Sequence, residues 1–325
     1  MRILVTGATG FIGRHLATGL AQDGHEVICL VRDERRLSVA GTRGIRPVVG
    51  DLLDRESLRI AVDDAEIVFH LAGLTKALSP GVFTRVNRLG TRRLVEACVE
   101  TCNPPRRFVY VSSLSAMGPC GRRDTLVEDS YCHPLTPYGR SKLAGEDELR
   151  TAGAGLAYTI LRPPAVYGPG DRENLAFFRM AKLGVVPIVA GAGRFTLIHV
   201  ADLTRAVRQC TDCDAAIGKT ILVGSPQAVT WRELAEAIRL AVNPRARTVE
   251  VPRKAVRFAG RVVQCFSRFA GIPVIFDEAK AIEMTQDAWV CSGARAAELL
   301  GFRCQVALSQ GFMDTADWYR RAGWL

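Results

Sequence analysis

The sequence predicts an α/β protein: a doubly wound, mainly parallel sheet joined to a smaller, mostly helical lobe. Short apolar runs alternate with longer segments of helical period through the first half of the chain, which implies βαβ crossovers. The first run, Ile3–Val5, is continuously apolar, as a strand buried on both faces requires. A glycine-rich turn follows it at once and opens a helix. The 325 residues are 48% hydrophobic and 23% charged, with 30 Gly and 15 Pro. That balance excludes disordered, collagen-like and small disulfide-stapled chains.

In order, strands are expected at Ile3–Val5, Glu26–Val31, Arg46–Val49, Ile67–His70, Phe108–Ser112 and Tyr158–Leu161, with helices at Gly10–Asp23, Glu56–Val62, Phe83–Thr101 and Tyr138–Arg150. After about residue 165 the rhythm changes, and Pro163-Pro164 and Gly168-Pro169-Gly170 punctuate a loop. Phe195–Val200 and Lys219–Val223 read as further strands, with a helix from Asp202 between them.

In Thr6-Gly7-Ala8-Thr9-Gly10-Phe11-Ile12-Gly13 each glycine has its own reason. Gly7 permits a tight turn, Gly10 lets backbone approach a pyrophosphate, and Gly13 lets helix pack closely on sheet. Free N–H groups and the dipole at the helix start then hold the anion. This is a Rossmann-type dinucleotide site, with Gly7, Thr9, Gly10, Phe11, Ile12 and Gly13 as candidate cofactor contacts. The expected division is a dinucleotide-binding domain over 1–165 to which 195–224 returns, a substrate lobe over 166–194 and 225–305, and a C-terminal helix over 306–325. The second strand ends at Val31 and is followed by Arg32, Arg35 and Arg36, where NAD-selecting strands carry an acid. A guanidinium suits a ribose 2′-phosphate, so NADP(H) is expected ahead of NAD(H). Asp33 leaves NAD open.

Lys+Arg of 43 against Asp+Glu of 33 gives 43 − 33 = +10, which favours anionic ligands, a lipid surface or nucleic acid. No nucleic-acid motif accompanies the charge and the tryptophans are scattered, so no nucleic-acid partner is expected. No apolar run reaches the roughly 18 residues of a membrane span. The start lacks a signal peptide's pattern, so a cytoplasmic location is expected, with the ten cysteines reduced. Cys210 and Cys213 form a lone CxxC, and no metal is expected.

Tyr138 and Lys142 stand four apart on a helix, hence on one face. A free phenol has a pKa of about 10, and a nearby ammonium lowers it. Upstream, Arg107–Ser113 ends a strand with hydroxyls at its carboxyl edge, where open α/β sheets bind ligands. Ser113 can hydrogen-bond the oxygen whose proton Tyr138 handles.

Together these features resemble the extended short-chain dehydrogenase/reductase family, which includes nucleotide-sugar epimerases, 3β-hydroxysteroid dehydrogenases and dihydroflavonol reductases. Asp51-Leu52 is similar to that family's adenine-contacting pair, and His70-Leu71-Ala72-Gly73 to the loop beside its cofactor. Asn87 with Gly90-Thr91, and Leu161–Gly170 with Pro163, Ala165 and Val166, resemble further cofactor-side motifs, as Val111 does at the strand end. The resemblance implies that Tyr138 is the general acid/base, that Lys142 holds the nicotinamide ribose and that Ser113 orients the reacting oxygen. It also implies a homodimer through the helices over 83–101 and 138–150.

The epimerase branch usually has Asn where this chain has Ala165, and Arg where it has Phe195, although Arg194 is adjacent. Ala and Phe suit an apolar substrate body. Residues 252–269 form a basic amphipathic helix in which Val256, Ala259, Val263 and Phe266 make an apolar stripe. Such a helix packs in the core, covers a lipophilic pocket or lies on an anionic membrane, so a peripheral membrane contact stays open. The resulting expectation is an oxidoreductase interconverting a ketone and a secondary alcohol on an apolar small molecule, with Ser113, Ala165 and Phe195 as substrate contacts. A nucleotide-sugar 4-epimerase with retained cofactor and a non-catalytic dinucleotide-binding subunit remain as alternatives.

Overall fold

The structure is a computed structural model and describes residues 1–39, 41–191 and 193–325. The first half runs β1 (Arg2–Thr6), α1 (Phe11–Gln22), β2 (Glu26–Val31), β3 (Ile45–Val49), α2 (Arg55–Val62), β4 (Ile67–His70), α3 (Pro80–Phe83), α4 (Gly90–Glu100), β5 (Arg107–Val111), α5 (Pro137–Ala152) and β6 (Tyr158–Arg162). There follow β7 (Ala165–Tyr167), α6 (Leu175–Lys182), β8 (Val185–Val189), β9 (Arg194–Phe195), β10 (Leu197–His199), α7 (Val200–Gln209), β11 (Thr220–Leu222), β12 (Val229–Thr230) and α8 (Trp231–Val242). The chain closes with β13 (Arg247–Val251), α9 (Arg253–Ala270), α10 (Glu278–Met284), β14 (Ala288–Trp289), α11 (Ala294–Leu300) and α12 (Leu308–Arg321).

Seven strands form one parallel sheet in the order β11-β6-β5-β4-β1-β2-β3. Alternation along β1 sends Ile3 and Val5 into a layer with Leu16 and Leu20 of α1 and Leu203 and Val207 of α7. Leu4 enters the opposite layer with Leu58, Leu94, Val95 and Leu149. Both faces are thus covered, as an all-parallel sheet demands. The strand order reverses between β1 and β4, so the loops after these strands part and leave a crevice at the carboxyl edge.

Two elements differ from expectation. The helix anticipated over 83–101 begins at Pro80 and contains a wide π turn over 84–89; such a bulge re-aims the side chains it carries, here including Asn87. The strand anticipated over 195–200 breaks at Thr196. There the Thr196 N–H donates to the Trp289 carbonyl at 2.8 Å and its hydroxyl accepts from Cys291 N–H at 3.1 Å. The chain therefore leaves one small sheet, where β9 pairs with β12 and β14, and joins β7 through β10.

Helices α6, α8 and α12 pack with β8 around Phe178, Ile188, Leu234, Ile238, Phe312 and Tyr319, while Val256 of α9 and Ala281 of α10 share a smaller cluster with Val189. Helix α9 does not use its expected stripe: Val256 is buried and Val263 half-buried, but Ala259 and Phe266 face outward. No helix among the described residues is long and apolar enough to cross a membrane.

Candidate active site

Gly7 adopts φ +78 and a Cβ there would lie 2.7 Å from Ala72 N, so the turn after β1 tolerates only glycine. A Cβ on Gly13 would meet the Gly7 carbonyl oxygen at 2.1 Å, so α1 packs directly on the turn. Gly10 caps α1 without a side-chain hydrogen bond, and no acid stands in the first turn. Thr9 and Gly10 are exposed, Phe11 and Ile12 half-buried. The helix start therefore presents backbone N–H groups and its positive end to a ligand, which fits a pyrophosphate.

At the end of β2, Arg32, Arg35 and Arg36 are all exposed. Asp33 caps a short turn by accepting from Arg35 N–H at 3.1 Å and from the Arg35 side chain at 3.1 Å. The local acid is thus tied to Arg35, while Arg32 and Arg36 point a guanidinium each toward solvent. Asp51 accepts from Leu53 N–H at 2.8 Å, and the buried Leu52 packs on Gly90.

The loop after β4 is held from beneath. The Asn87 side chain accepts from Leu74 N–H at 2.7 Å and donates to the Leu74 carbonyl at 3.0 Å and the Ser141 hydroxyl at 2.9 Å. This ties Leu71, Ala72 and Gly73 to α5. A hydrogen-bond chain lies below: the Thr91 hydroxyl donates to the Asn87 carbonyl at 2.7 Å, so it accepts from His70 Nε2 at 2.9 Å. Thr6 accepts from Ala72 N–H and donates to His70 Nδ1 at 2.7 Å. The network selects the neutral imidazole with its proton on Nε2.

Burial, with Lys142 nearby, pushes the His70 pKa down to about 3. Between about 6.5 and that value the unfolded chain takes up a proton that the folded one refuses. Stability is complete above the upper limit and is lost as pH falls through the window. Urea midpoints should accordingly drop from pH 7 toward pH 4. His70→Gln should flatten the slope by up to about 1.4 kcal/mol per pH unit; an unchanged slope would remove His70 from the acid response.

Helix α5 starts because Thr136 accepts from Gly139 N–H at 3.1 Å and Pro137 takes the first position. One turn apart, Tyr138 and Lys142 enter the crevice from this helix. Burial raises the Tyr138 pKa above the usual phenol range, the neighbouring Ser113 hydroxyl pulling it the other way and Glu173 and Glu283 adding to the raise. Lys142 is buried, donates to the Val111 carbonyl at 2.8 Å and lies 4.2 Å from the Tyr110 ring centre. Burial lowers its pKa to about 7, with Glu146 opposing. The phenol pKa thus departs upward, whereas the four-residue spacing to the ammonium led to the expectation of a lowering. Desolvation dominates Tyr138, and Lys142 directs its proton at a carbonyl and an aromatic face. Ser113 also caps the short turn after β5, accepting from Ser115 N–H at 3.1 Å.

The crossing strand lies farther along the same edge. Pro163 accepts from Leu114 N–H at 2.8 Å. Ala165 is exposed and Val166 half-buried in β7, which pairs with β10. Phe195 is half-buried and sets its ring 5.2 Å from Trp231 in a tilted pair.

Two groups escaped the sequence reading. Glu146 is fully buried and accepts from Ser112 at 2.6 Å, Arg162 at 2.9 and 2.6 Å, and Arg150 at 2.9 Å. Its signal was present: Tyr138, Lys142, Glu146 and Arg150 recur every fourth residue. Glu283 of α10 accepts from Thr136 at 3.1 Å and lies 3.9 Å from Lys280, bringing the lobe's charges to the helix that carries Tyr138. Nothing local announces that contact.

A switch-point crevice with a glycine-cradled helix start on one side and a Ser, Tyr and Lys cluster on the other defines a nicotinamide-dependent oxidoreductase or epimerase of the extended short-chain type. Residues 3–224 match the NAD dependent epimerase/dehydratase family, and the chain belongs to it. It is 34% identical to the ceramide reductase of Caulobacter vibrioides (strain NA1000 / CB15N), over 99% of this chain and 96% of that protein. It is 24% identical to the UDP-glucose 4-epimerase of Vibrio cholerae, over 98% and 96%. Among solved structures, MoeE5 in complex with UDP-glucose and NAD superimposes with a TM-score of 0.77 at 27% identity, covering 99% of each chain.

Proposed function

We propose that this enzyme interconverts a ketone and a secondary alcohol on a lipophilic small molecule, with NADP(H) preferred to NAD(H). One observation carries the reading: similarity to a ceramide reductase extends over 99% of the chain, lobe included. The half-buried aromatics Phe177 and Phe195, with ring centres 6.0 and 5.2 Å from that of Trp231, are consistent with an apolar substrate body. A cytoplasmic location and a homodimer through α4 and α5 belong to the same proposal.

When bound in this crevice, a nicotinamide would supply the hydride. In the reductive direction Tyr138 gives its proton to the ketone oxygen, for which burial prepares it by keeping the phenol protonated. Ser113 donates to the same oxygen and fixes its position. Lys142, close to half-protonated at neutral pH, holds the ribose hydroxyls. Arg32 and Arg36 are the partners proposed for a 2′-phosphate.

A second reading, nucleotide-sugar 4-epimerisation, is favoured by one observation: Arg122, Arg123 and Arg194 border a cleft of about 400 Å³ that would suit a diphosphate. One experiment separates the two. The protein is supplied with NADPH and, in parallel, a long-chain acyl-amide ketone or UDP-glucose. NADPH consumption with the lipid ketone is expected, and Arg32→Ser with Arg36→Ser should raise the KM for NADPH about tenfold, the equivalent of one charge-assisted contact, while sparing NADH. Conversion of UDP-glucose without added cofactor, and no turnover of the ketone, would overturn the proposal.

A further inference from the structure

Helix α9 turns an aromatic face to solvent. Phe258 is 70% exposed, Phe266 71% and Phe269 91%, with Val262 at 52% and Ile272, just past the helix end, at 62%. Spacings of four, four and three put the four helical residues on one side. The opposite side carries the buried Val256, Gly260 and Ser267. A Cβ on Gly260 would lie 2.6 Å from Ala281 Cβ, so α9 is pressed against α10 along that side. Its end is rigid. Gly271 takes φ +67, and the Ser267 hydroxyl donates to the Ile272 carbonyl at 2.6 Å. The outward face is therefore a fixed feature of a docked helix rather than a frayed end.

The charge on this helix is one-sided. It holds Arg253, Lys254, Arg257, Arg261 and Arg268 and no acid. Arg253 pairs with Asp287 at 2.8 Å and Arg261 with Glu278 at 2.7 Å, and Arg257 donates to the Thr285 hydroxyl at 2.8 Å. Lys254 and Arg268 have no carboxylate partner among the described residues. On a helical wheel the cations fill the sector between the buried face and the aromatic face, so they border the exposed rings along one edge.

We propose that α9 docks this protein on an anionic lipid surface, with Phe258, Val262, Phe266, Phe269 and Ile272 entering the headgroup–acyl boundary and the cations meeting lipid phosphates. Aromatic residues and a cationic border on one rigid helix are what an interfacial helix needs. The net charge of +10 acts in the same direction. A second copy of the chain fits less well, because an antiparallel two-fold pairing on this patch would set the two cationic borders close together and a parallel one would leave both without countercharge. The proposal stands apart from the ketone reading, although docking would give a lipophilic substrate a short path: α10, on which α9 rests, carries Lys280 and Glu283 to the helix of Tyr138.

Sedimentation with vesicles tests it. Binding to phosphatidylglycerol-containing vesicles is expected, with little to pure phosphatidylcholine, and raised salt should weaken it. The triple variant Phe258→Ser, Phe266→Ser, Phe269→Ser should lose more than about tenfold in vesicle affinity, and Lys254→Glu with Arg268→Glu should do likewise, both keeping wild-type dinucleotide affinity. All altered side chains are exposed, so the fold should persist. No binding to anionic vesicles, equal binding to both vesicle types, or binding that survives both sets of substitutions would each overturn the proposal. So would a dimer, measured by light scattering, that the triple variant alone converts to monomer, because a second copy would then be the occupant.

Discussion

Tyr138→Phe should cut turnover by about 10²- to 10⁴-fold, the usual yield of a positioned proton donor, while dinucleotide affinity stays within about twofold. The substitution removes one oxygen and leaves the ring that packs 6.2 Å from Phe83. Helix α5 keeps its Thr136 cap and its Lys142 contact, because neither uses the phenol. The loss should fall on the chemical step, visible in single-turnover measurements with cofactor already bound. Ser113→Ala should lose less, since the reacting oxygen retains its proton donor. Burial places the Tyr138 pKa above the ordinary phenol value, so the limb of the pH–rate profile that reports the phenol should lie on the alkaline side. Turnover by Tyr138→Phe within about threefold of wild type, a difference of under 1 kcal/mol in the barrier, would remove Tyr138 from the chemistry.

What could be read from the sequence was what local chemistry determines. Gly7, Gly10 and Gly13 each answer a steric demand within a few residues, and the structure shows the demand at Gly7 and Gly13 as backbone atoms under 3 Å from any added Cβ. The parallel sheet followed from period alone, because strands buried on both faces are continuously apolar. The break at Thr196 was hidden because its cause is a pair of hydrogen bonds to Trp289 and Cys291, nearly a hundred residues away. Helix α9 shows the same limit: its amphipathic pattern was plain, but which side is covered depends on α10, and the covered side turns out to be the less aromatic one. The relation of Lys142 to Tyr138 shows a related limit. Spacing on a helix brings two side chains to one face without saying that the ammonium will choose the Val111 carbonyl and the Tyr110 ring. Glu146 was overlooked although it shares that face, because a glutamate on a helix is ordinarily solvated.

That glutamate should dominate the stability of the site. Its carboxylate is fully buried and faces Arg162, whose side chain is 4% exposed, through two hydrogen bonds. Burial works to raise its pKa, but Arg162, Ser112 and Arg150 more than offset that and hold it below the usual carboxylate value. Glu146→Ala leaves the Arg162 guanidinium buried without a countercharge and should cost about 3–5 kcal/mol in urea unfolding. Replacing Glu146 and Arg162 together by Met should cost far less than the sum of the single changes, since no orphaned charge remains; an additive double variant would show that the two do not act as a pair. The carboxylate also reaches the chemistry. It opposes the lowering of the Lys142 pKa, so in Glu146→Gln the ammonium loses its proton at lower pH. The limb of the pH–rate profile that reports Lys142, near 7 in the wild type, should then move toward acid. A change that only loosened the fold would leave that limb in place, so the profile distinguishes a scaffold effect from a charge that tunes the lysine one turn away.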